Sequence, residues 1–529
     1  FSSAWLLVAL VSLMPILGIV VGLWPQSAEI FSDVSRFLNY PSLTMSVGLT
    51  LFCAVFSALL SLYIAFMVFS QYHLSPRLQS YDKYLAPFLA LPHLAIAIGI
   101  VFLFSDGSLL FEDMGLPRKG LSTLILAIVL KEVPFFLLIF SAMARQLPIR
   151  SWLLQGKALG YQGYRCWWLL VFPHLLKQSR LALLAACAYT LSVVDISFLV
   201  GPNVPELFAV SLYRWQSSFS PGDQSLAFWA NVFLLGLLLL SIGILYAHEK
   251  LLLVVCKHSA VVSSAMSVGL INRLFIAWLP LTGGIILLMV GVFVLWSLGA
   301  NVHQGVTSMA NLSTQLWQQE WLFFALPLQN SILIGVSAAI LGVTLALLAL
   351  ELQQRQKLFL PDYFWLLGIV LPQLSMVLGW QIMHIWFEAS YHSVWVIVSH
   401  LPFTFAYGYL VLKGPFQNIE TRYELLAASF GYSPWECWYK VRFRLLLPAI
   451  LTALGITFSV SIAQYIPTLM IGAGRVTTIT TETVAMGMGS QQDVMALYVL
   501  LQSLLPFLAF VSVALLAQKF RGSIHAKAD

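Results

Sequence analysis

Charged residues are scarce in this sequence. Asp, Glu, Lys and Arg make up 9% of its 529 residues, whereas hydrophobic residues make up 60% and the mean hydropathy is +0.88. Soluble globular domains carry roughly 25% charged residues. The composition therefore excludes an ordinary soluble protein, and it predicts an all-α protein that crosses a membrane several times.

Cysteine is also scarce, and catalytic motifs are missing. The five cysteines include no C-x-x-C pair, and most of them fall in predicted helices or cytoplasmic segments, where thiols stay reduced. The sequence contains no G-x4-G-K-[ST] phosphate loop, no H-E-x-x-H, no G-x-S-x-G and no His/Cys cluster at ligand spacing. We therefore expect no catalytic residue, metal or cofactor on this chain, and any ATP would be hydrolysed by another subunit.

Long apolar runs are abundant. A hydrocarbon core of about 30 Å needs around 20 apolar residues per helix, and twelve such runs occur. They lie near residues 4–24, 43–69, 85–105, 121–144, 180–200, 226–247, 274–298, 330–350, 363–386, 393–412, 449–471 and 494–517. We predict about twelve transmembrane helices. The first run has no basic segment before it and is expected to be a retained helix rather than a signal peptide.

The same pattern occurs twice in the sequence. Gly160-Tyr161-x4-Cys166-Trp167 recurs as Gly431-Tyr432-x4-Cys437-Trp438, 271 residues further on. Three other matches keep the same order: Leu91-Pro92-x-Leu94-x4-Gly99 with Leu371-Pro372-x-Leu374-x4-Gly379, Pro134-Phe135 with Pro402-Phe403, and Gly201 with Gly472. Collinear matches at similar offsets indicate internal duplication. The Leu-Pro pattern itself predicts a kinked, closely packed helix, placed either near a pathway or for packing alone.

The duplication defines the predicted domains. We assign residues 1–247 to a first membrane repeat, 248–273 to a cytoplasmic linker and 274–529 to a second membrane repeat. Each repeat contains six of the predicted helices, and an even number leaves both repeats in the same orientation. The two repeats are therefore expected to be parallel, with a pseudo-twofold axis along the membrane normal.

The basic residues predict the orientation. Of the 27 Lys and Arg residues, 21 fall in segments that are cytoplasmic if residue 1 is inside. Five fall outside, namely Arg36, Arg118, Lys119, Arg214 and Arg475. Since short cytoplasmic loops carry the positive excess, both termini are predicted to be cytoplasmic. The net charge of +6 then reflects topology, and no nucleic-acid binding is expected.

Two water-facing segments are both long and patterned. The first long loop, Arg145 to Arg180, contains Gln155-Gly156-Lys157-Ala158-Leu159-Gly160 and Phe172-Pro173. The second long loop, Lys413 to Pro448, contains Glu424-Leu425-Leu426-Ala427-Ala428-Ser429-Phe430-Gly431 and Leu447-Pro448. Each pattern predicts a short helix that stops at a glycine, a turn, and a segment that returns to the membrane. The small residues before the glycine would let another protein approach the backbone closely.

These loops resemble the E-A-A-x3-G-x9-I-x-L-P loop of ABC importer permeases, which docks into the ATPase subunit. Gly160 and Pro173 keep the family spacing of 13 residues, whereas Gly431 and Pro448 are 17 apart, about one helical turn more. Glu424 lies seven residues before its glycine instead of six, and the first loop has Leu154 at the acidic position. The resemblance implies ATPase-coupling roles for Gly156, Lys157, Ala158, Gly160, Pro173, Glu424, Ala427, Ala428, Gly431 and Pro448.

Two fused six-helix repeats with one such loop each resemble the single-chain permeases of thiamine, ferric-iron, polyamine-like and similar uptake systems. The resemblance implies a bacterial inner-membrane subunit that moves a small solute inward through the lipid bilayer. It also implies two partners, a dimeric nucleotide-binding ATPase that holds ATP and Mg²⁺, and a periplasmic solute-binding protein.

Ionisable residues within the predicted helices are functional candidates, because each costs about 2.5–3.5 kcal/mol at a helix centre on insertion scales. They are Lys131, Glu132, Asp195, His384 and Glu388. The first three could neutralise one another. Alternatively, Asp195 lies on the pathway of a cationic substrate, with Gln464 at roughly the equivalent position of the second repeat. A solvated helix end explains His384 and Glu388.

A second function stays open at this point. A self-sufficient twelve-helix secondary transporter also has two parallel six-helix halves. Its characteristic motif lies between helices 2 and 3, where this chain has only Gln71-Tyr72-His73-Leu74-Ser75-Pro76-Arg77. The outer segments 201–225 and 299–328 are too short for a folded receptor domain. We therefore favour the importer permease, with its substrate unidentified.

Overall fold

The computed structural model describes most of the chain, and nearly all of what it describes is helical. The described residues are 2–24, 33–73, 91–104, 116–144, 146–161, 164–218, 220–259, 269–299, 301–303, 306–308, 312–356, 360–388, 390–420, 422–489 and 491–525. Helices dominate because an apolar chain in lipid must satisfy its backbone hydrogen bonds internally. Arg145, the start of the third predicted helix and part of the predicted linker lie outside the described residues.

Fourteen helices of very different lengths are described before residue 300. They are α1 (Ser2–Gly22), α2 (Val34–Leu38), α3 (Leu43–His73), α4 (His93–Phe104), α5 (Leu121–Ala144), α6 (Ile149–Ala158), α7 (Tyr164–Cys166), the π-helix π1 (Trp167–Val171), α8 (Phe172–Gln178), α9 (Arg180–Leu191), α10 (Asp195–Val200), α11 (Phe208–Gln216), α12 (Pro221–Ser259) and α13 (Gly269–Ser297). The predicted helix 180–200 is thus divided between α9 and α10.

The rest of the chain follows a similar order. Its helices are α14 (Gln315–Gln356), α15 (Asp362–Trp365), α16 (Leu367–Val370), α17 (Gln373–Trp386), α18 (His392–Gln417), α19 (Arg422–Ser429), α20 (Pro434–Glu436), the π-helix π2 (Cys437–Arg442), α21 (Phe443–Ile462), α22 (Ile466–Gly472), α23 (Ile479–Gly487) and α24 (Gln492–His525). A short antiparallel pair, β1 (Asn301–His303) and β2 (Val306–Ser308), precedes them.

Some of these helices have the length and composition of membrane-crossing segments. Among the described residues, nine helices are long and apolar enough to cross a membrane: α1, α3, α5, α12, α13, α14, α18, the stretch Pro434–Ile462 and α24. The apolar helices α4 and α9 are shorter. The prediction of an all-α polytopic membrane protein is confirmed, whereas the count of twelve and the symmetry of the repeats stay predictions.

The chain forms two compact units. Unit 1 consists of Phe1–Trp24, Trp317–Gly489 and Tyr498–Asp529, and unit 2 consists of Pro25–Leu316 and Ser490–Leu497. The units and the predicted sequence repeats are different divisions of the chain. Helix α1 belongs to the unit built mainly from the second half, and α13 belongs to the unit built from the first half.

Within unit 1, α1 packs closely against α17. The indole Nε1 of Trp380 donates to the carbonyl oxygen of Met14 at 2.9 Å. A Cβ placed on Gly18 would lie 2.5 Å from the carbonyl oxygen of Met376, so the two backbones approach directly at this glycine. Small residues allow such contacts between helices in lipid.

Within unit 2, α13 holds the corresponding place against α3 and α4. The hydroxyl of Tyr72 donates to the carbonyl oxygen of Ile276 at 2.6 Å. A Cβ on Gly99 would lie 2.6 Å from the sulfur of Met289, and the rings of Phe102 and Trp296 are 4.3 Å apart. Each unit therefore takes in one helix from a distant part of the chain.

The Leu-Pro-x-Leu-x4-Gly pattern marks a helix start in both units. Helix α4 begins directly after Pro92, and Pro372 is the N-cap of α17, with extended backbone at Leu371 (ψ 148°) and Pro372 (ψ 121°). In the second copy α16 ends at Val370 and α17 begins at Gln373, so the helical run is interrupted at the proline, which costs α17 no hydrogen bond. The predicted close packing is correct, as Gly99 and Gly379 contact α13 and α1.

Candidate functional site

The first long loop has the predicted helix and glycine stop. Helix α6 ends at Ala158, and Gly160 follows with a left-handed backbone (φ +86°). The N–H of Tyr161 donates to the carbonyl of Gly156 at 3.0 Å, and the N–H of Gly160 donates to that of Lys157 at 3.0 Å. This pair of bonds is a Schellman motif, which favours glycine because a Cβ disfavours positive φ.

The second long loop repeats this geometry. Helix α19 ends at Ser429, and Gly431 has φ +84°. The N–H of Tyr432 donates to the carbonyl of Ala427 at 3.3 Å, and the N–H of Gly431 donates to that of Ala428 at 3.0 Å. The predicted sequence of helix, glycine and turn is confirmed in both loops. The coupling roles of these residues stay a prediction.

The small residues four positions before each glycine face inward. Gly156 is buried, and a Cβ on it would lie 2.6 Å from Leu170 Cδ1 and 3.0 Å from Cys166 Sγ. Ala427 is buried at the matching place of the second loop. The expectation that these two residues admit another protein is therefore wrong, because their own returning segment covers them. Lys157, Ala158 and Ala428 are exposed and remain accessible.

The cysteine of each G-Y-x4-C-W pattern closes the turn, a role that sequence reasoning missed. The thiol of Cys166 donates to the carbonyl oxygen of Tyr161 at 3.1 Å, and the thiol of Cys437 lies 3.7 Å from that of Tyr432. The equal spacing in the two loops was the available signal. The π-helix π1 begins directly after Cys166, and π2 begins at Cys437. The repeated sequence pattern therefore forms the same kind of turn in both loops.

The two loop prolines lie at different depths of their helices. Pro173 is the second residue of α8, which continues directly from π1. Pro448 is inside α21, which already began at Phe443. The four extra residues between Gly431 and Pro448 thus shift the proline by about one turn along the returning helix.

Glu424 is held by a buried arginine. Its Oε1 lies 3.0 Å from Nη1 of Arg442, and the same nitrogen lies 3.1 Å from Oε2 of Glu351. The other guanidinium nitrogen donates to the side-chain oxygen of Gln354, and the guanidinium lies 4.3 Å from the ring centroid of Phe416. The carboxylate of Glu424 is therefore engaged within unit 1 at the first turn of α19.

The first loop has apolar residues in the same two positions. Leu153 and Val171, 271 residues before Glu424 and Arg442, are both buried. Helix α6 packs against π1 as α19 packs against π2. The two loops thus have one shape with two kinds of internal contact, charged in the second loop and apolar in the first.

Both loops expose large apolar side chains at matching positions. Leu154 and Leu425 are 60% and 70% exposed, and Leu159 and Phe430 are 74% and 75% exposed. Each pair is 271 residues apart in the sequence. Leu154 and Leu425 lie on the short helices, whereas Leu159 and Phe430 directly precede the left-handed glycines. Each loop therefore carries the same exposed apolar surface, which we call the loop surface.

Unit 2 contains a polar centre among its apolar helices. Lys131 and Glu132 on α5 are both buried. The ammonium of Lys131 donates to the carbonyl oxygen of Leu91, and Oε1 of Glu132 lies 3.2 Å from Nε2 of His93. In the described part of the chain no ion pair joins Lys131 to Asp195, so the expected neutralisation between these two is not formed. Asp195 instead begins α10 after a break in the helix.

Unit 1 has a corresponding break between α21 and α22. The side-chain amide of Gln373 donates to the side-chain oxygen of Gln464 at this break. Nδ1 of His400 lies 2.8 Å from the hydroxyl of Ser461, and Nε2 lies 3.0 Å from that of Thr468. Sequence reasoning missed His400, although a single ionisable residue within an apolar run was the signal. Broken helices at membrane depth occur where protein or a water-filled cavity covers the backbone.

The residue that follows each Leu-Pro belongs to the polar centre of its own unit. His93 and Gln373 both come directly after the proline. His93 contacts Glu132, and Gln373 contacts Gln464, and both of these partners are predicted pathway residues.

Further along α17, His384 is buried with its ring 5.1 Å from that of His392. The expected solvated helix end therefore holds for the exposed Glu388 and is wrong for His384.

Known proteins provide an independent comparison. The chain is 29% identical over 488 residues to the inner membrane ABC transporter permease protein YnjC of Escherichia coli, covering 90% of this chain and 89% of that protein. It is 26% and 25% identical over 166 residues to spermidine/putrescine transport system permease protein PotC homologs of Mycoplasma genitalium and Mycoplasma pneumoniae. Those two matches cover 30% of this chain and 58% of each relative. No protein-family model and no solved structure matches the chain.

These relatives agree with the sequence interpretation. The chain is similar over nine-tenths of its length to an ABC transporter permease, and it has the helical, membrane-crossing fold that such a protein needs. The predicted resemblance to ABC transporter permeases is confirmed. So is the prediction of a membrane permease subunit of the ABC transporter class.

Proposed function

We propose that this chain forms the solute pathway of a binding-protein-dependent ABC importer in the bacterial inner membrane. A separate dimeric ATPase, which holds ATP and Mg²⁺, drives it, and a periplasmic solute-binding protein delivers the solute. In this proposal both termini and both long loops are cytoplasmic. The orientation rests on the distribution of basic residues.

The loop surface carries this proposal. Leu154 and Leu159 in one unit, and Leu425 and Phe430 in the other, expose bulky apolar side chains at identical places around a rigid glycine turn. Contiguous exposed apolar side chains on water-facing segments mark interaction sites. Two such surfaces on one chain match a partner with two equivalent sockets, and a dimeric ATPase is such a partner.

The loop residues then have distinct roles. Gly160 and Gly431 set the turn, while Gly156 and Ala427 keep the short helix tight against the returning segment. Lys157, Ala158 and Ala428 lie on the exposed side, where they would border the ATPase. Pro173 and Pro448 belong to the returning helices, which carry movement of the loop toward the membrane.

The helix breaks are the proposed solute pathway. Each unit contributes its own proposed pathway residues, namely Lys131, Glu132 and Asp195 at the polar centre of unit 2 and Gln464 at the break of unit 1. The acidic groups suit a small cationic solute, in keeping with relatives that are named for spermidine and putrescine over part of the chain.

Affinity purification from native membrane tests the proposal. We expect two copies of a nucleotide-binding ATPase per chain, and loss of the ATPase when Gly160→Arg or Gly431→Arg is introduced. A chain that purifies alone and transports in liposomes without ATP would refute the proposal and establish a secondary transporter instead.

A further inference from the structure

Helix α19 of the second long loop is joined to the long apolar helix α14 by one side chain, that of Arg442. We propose that Arg442 is a positioning residue that ties α19 to the end of α14, so that a displacement of α19 moves α14 together with α21. This inference rests on the proposed function, in which α19 receives the movement of the ATPase.

Arg442 stands where four elements of unit 1 meet. It is the last residue of π2, and α21 continues directly from it. Its guanidinium contacts Glu424 of α19 at 3.0 Å, Glu351 of α14 at 3.1 Å and the ring of Phe416 near the end of α18. The contact with Gln354 is a second attachment to α14. A single side chain therefore holds the loop helix and two membrane helices.

The burial of Arg442 makes this attachment stiff. Its side chain is only 4% exposed, whereas Glu351 is 15% and Glu424 is 30% exposed. Water cannot readily replace a contact to a buried guanidinium, so breaking such a contact costs more than breaking an exposed ion pair. Glu351 is fixed in turn by Arg355, whose Nε lies 2.6 Å from the other carboxylate oxygen. The path from Glu424 through Arg442 to Glu351 is thus continuous.

The first loop has no such charged link at its corresponding positions. Leu153 and Val171 replace Glu424 and Arg442, and both are buried. Apolar contacts are non-directional, so they pack α6 onto π1 without fixing it to one further side chain. The two loops are equivalent in shape, yet at these corresponding positions only the second has an ion pair.

Glu424→Gln tests the link while conserving shape. In the isolated full-length chain we expect amide hydrogen exchange of residues 422–429 to rise about tenfold, as expected for the loss of a charge-assisted hydrogen bond. With the ATPase in proteoliposomes, we expect ATP hydrolysis to continue while solute transported per ATP falls about tenfold. The amount of ATPase that co-purifies should not change, because the loop surface is intact.

Glu436→Gln is the matched control. Glu436 lies on the same loop and accepts a hydrogen bond from Lys440 at 2.8 Å, but this pair is exposed and local. Neither the exchange of residues 422–429 nor the transport per ATP should differ from the parent chain, since exposed pairs contribute little. An equal effect of both variants would overturn the proposal.

A double variant separates positioning from packing. Glu424→Leu with Arg442→Val copies the first loop, and we expect it to recover the slow exchange of residues 422–429 while leaving transport per ATP low. Full recovery of transport by this pair would show that only packing matters and would overturn the proposal. So would a Glu424→Gln chain with unchanged exchange and unchanged transport per ATP.

The exchange measurement distinguishes this inference from the proposed function, because it uses the chain without partners. If no ATPase binds the parent chain, the proposed function fails whatever the exchange shows. If the ATPase binds and Glu424→Gln changes neither measurement, only the role of Arg442 fails.

Discussion

Gly379 on α17 lies directly against Gly18 on α1, so closely that a Cβ at position 379 would overlap the carbonyl oxygen of Gly18. Both residues belong to unit 1. The two helices therefore meet through their backbones, and no side chain separates them at this point. Helices in lipid gain van der Waals contact from such small-residue crossings.

Gly379→Val should separate these helices. The obstacle is backbone, which cannot rotate away as a flexible side chain can, so we expect a loss of at least about 3 kcal/mol, the upper range for overpacking. Thermal unfolding of the purified chain in detergent measures it. Gly236→Val, at an exposed helical glycine of α12 with open space around its Cβ, is the control and should not lower the melting temperature. Equal melting temperatures for the two variants would contradict the described crossing.

Gly160→Ala and Gly431→Ala should each weaken the helix end of their loop by about 1 kcal/mol, because alanine is strained at positive φ. Neither Cβ would meet another atom within 4 Å, so the cost is one of backbone conformation alone. Local hydrogen exchange of α6 and α19 measures it. Exchange unchanged at both glycines would refute the Schellman assignment.

Leu425→Glu and Leu154→Glu should weaken binding of the proposed ATPase. A charge in the middle of an apolar contact removes a binding hot spot, for which about 2–4 kcal/mol is typical. The amount of ATPase retained during affinity purification measures the loss. Leu425→Met and Leu154→Met keep the apolar surface and nearly the same volume, so they should retain the parent level. Retention by the glutamate variants would show that the ATPase binds elsewhere.

Arg180→Ala should destabilise unit 2 more than Glu249→Gln does. The guanidinium contacts the carboxylate through two nitrogens, Nε at 2.7 Å and Nη2 at 2.5 Å. Glu249 is nearly buried, whereas the Arg180 side chain is 47% exposed. Removing the arginine strands a buried carboxylate at about 2 kcal/mol, but removing the acid leaves an arginine that water can solvate. Thermal unfolding of both variants gives the order, and the reverse order would contradict it.

Asp195→Asn should reduce transport of a cationic solute without affecting assembly. Asp195 begins α10 at the helix break, and loss of a charge-assisted contact to a cation weakens binding about tenfold. Uptake as a function of solute concentration measures it. A matched Glu388→Gln variant changes an exposed acid just after α17 and should leave uptake as in the parent. Normal uptake by Asp195→Asn would remove this residue from the proposed pathway.

Local features of this fold were predictable from the sequence. The apolar runs, and the glycines that end α6 and α19, depend on a few neighbouring residues. The length of an apolar run decides whether a helix can cross the membrane, and a glycine adopts positive φ without the help of distant residues. The repeated cysteine spacing was also visible, but its hydrogen bond to the tyrosine carbonyl could not be derived without the turn geometry.

Contacts between distant residues were not predictable. Arg442 and Glu351 are 91 residues apart, and a basic residue in a loop has the same sequence signature whether it is exposed or buried. The sequence likewise left open whether Lys131 pairs with Asp195, and it gave no sign that Lys131 donates to the backbone carbonyl of Leu91. The placement of α1 in unit 1 likewise depends on packing over the length of the chain.

The position of α1 has a consequence for biosynthesis. The ribosome completes α1 about 350 residues before it begins α17, which at 5–20 residues per second is a delay of roughly 20 to 70 s. During that time the helix sits in lipid without the neighbour that Gly18 and Gly379 fit together. Unit 1 therefore cannot assemble until the second half of the chain has been made. A gene split at the linker would yield two polypeptides, one without the α13 of unit 2 and the other without the α1 of unit 1.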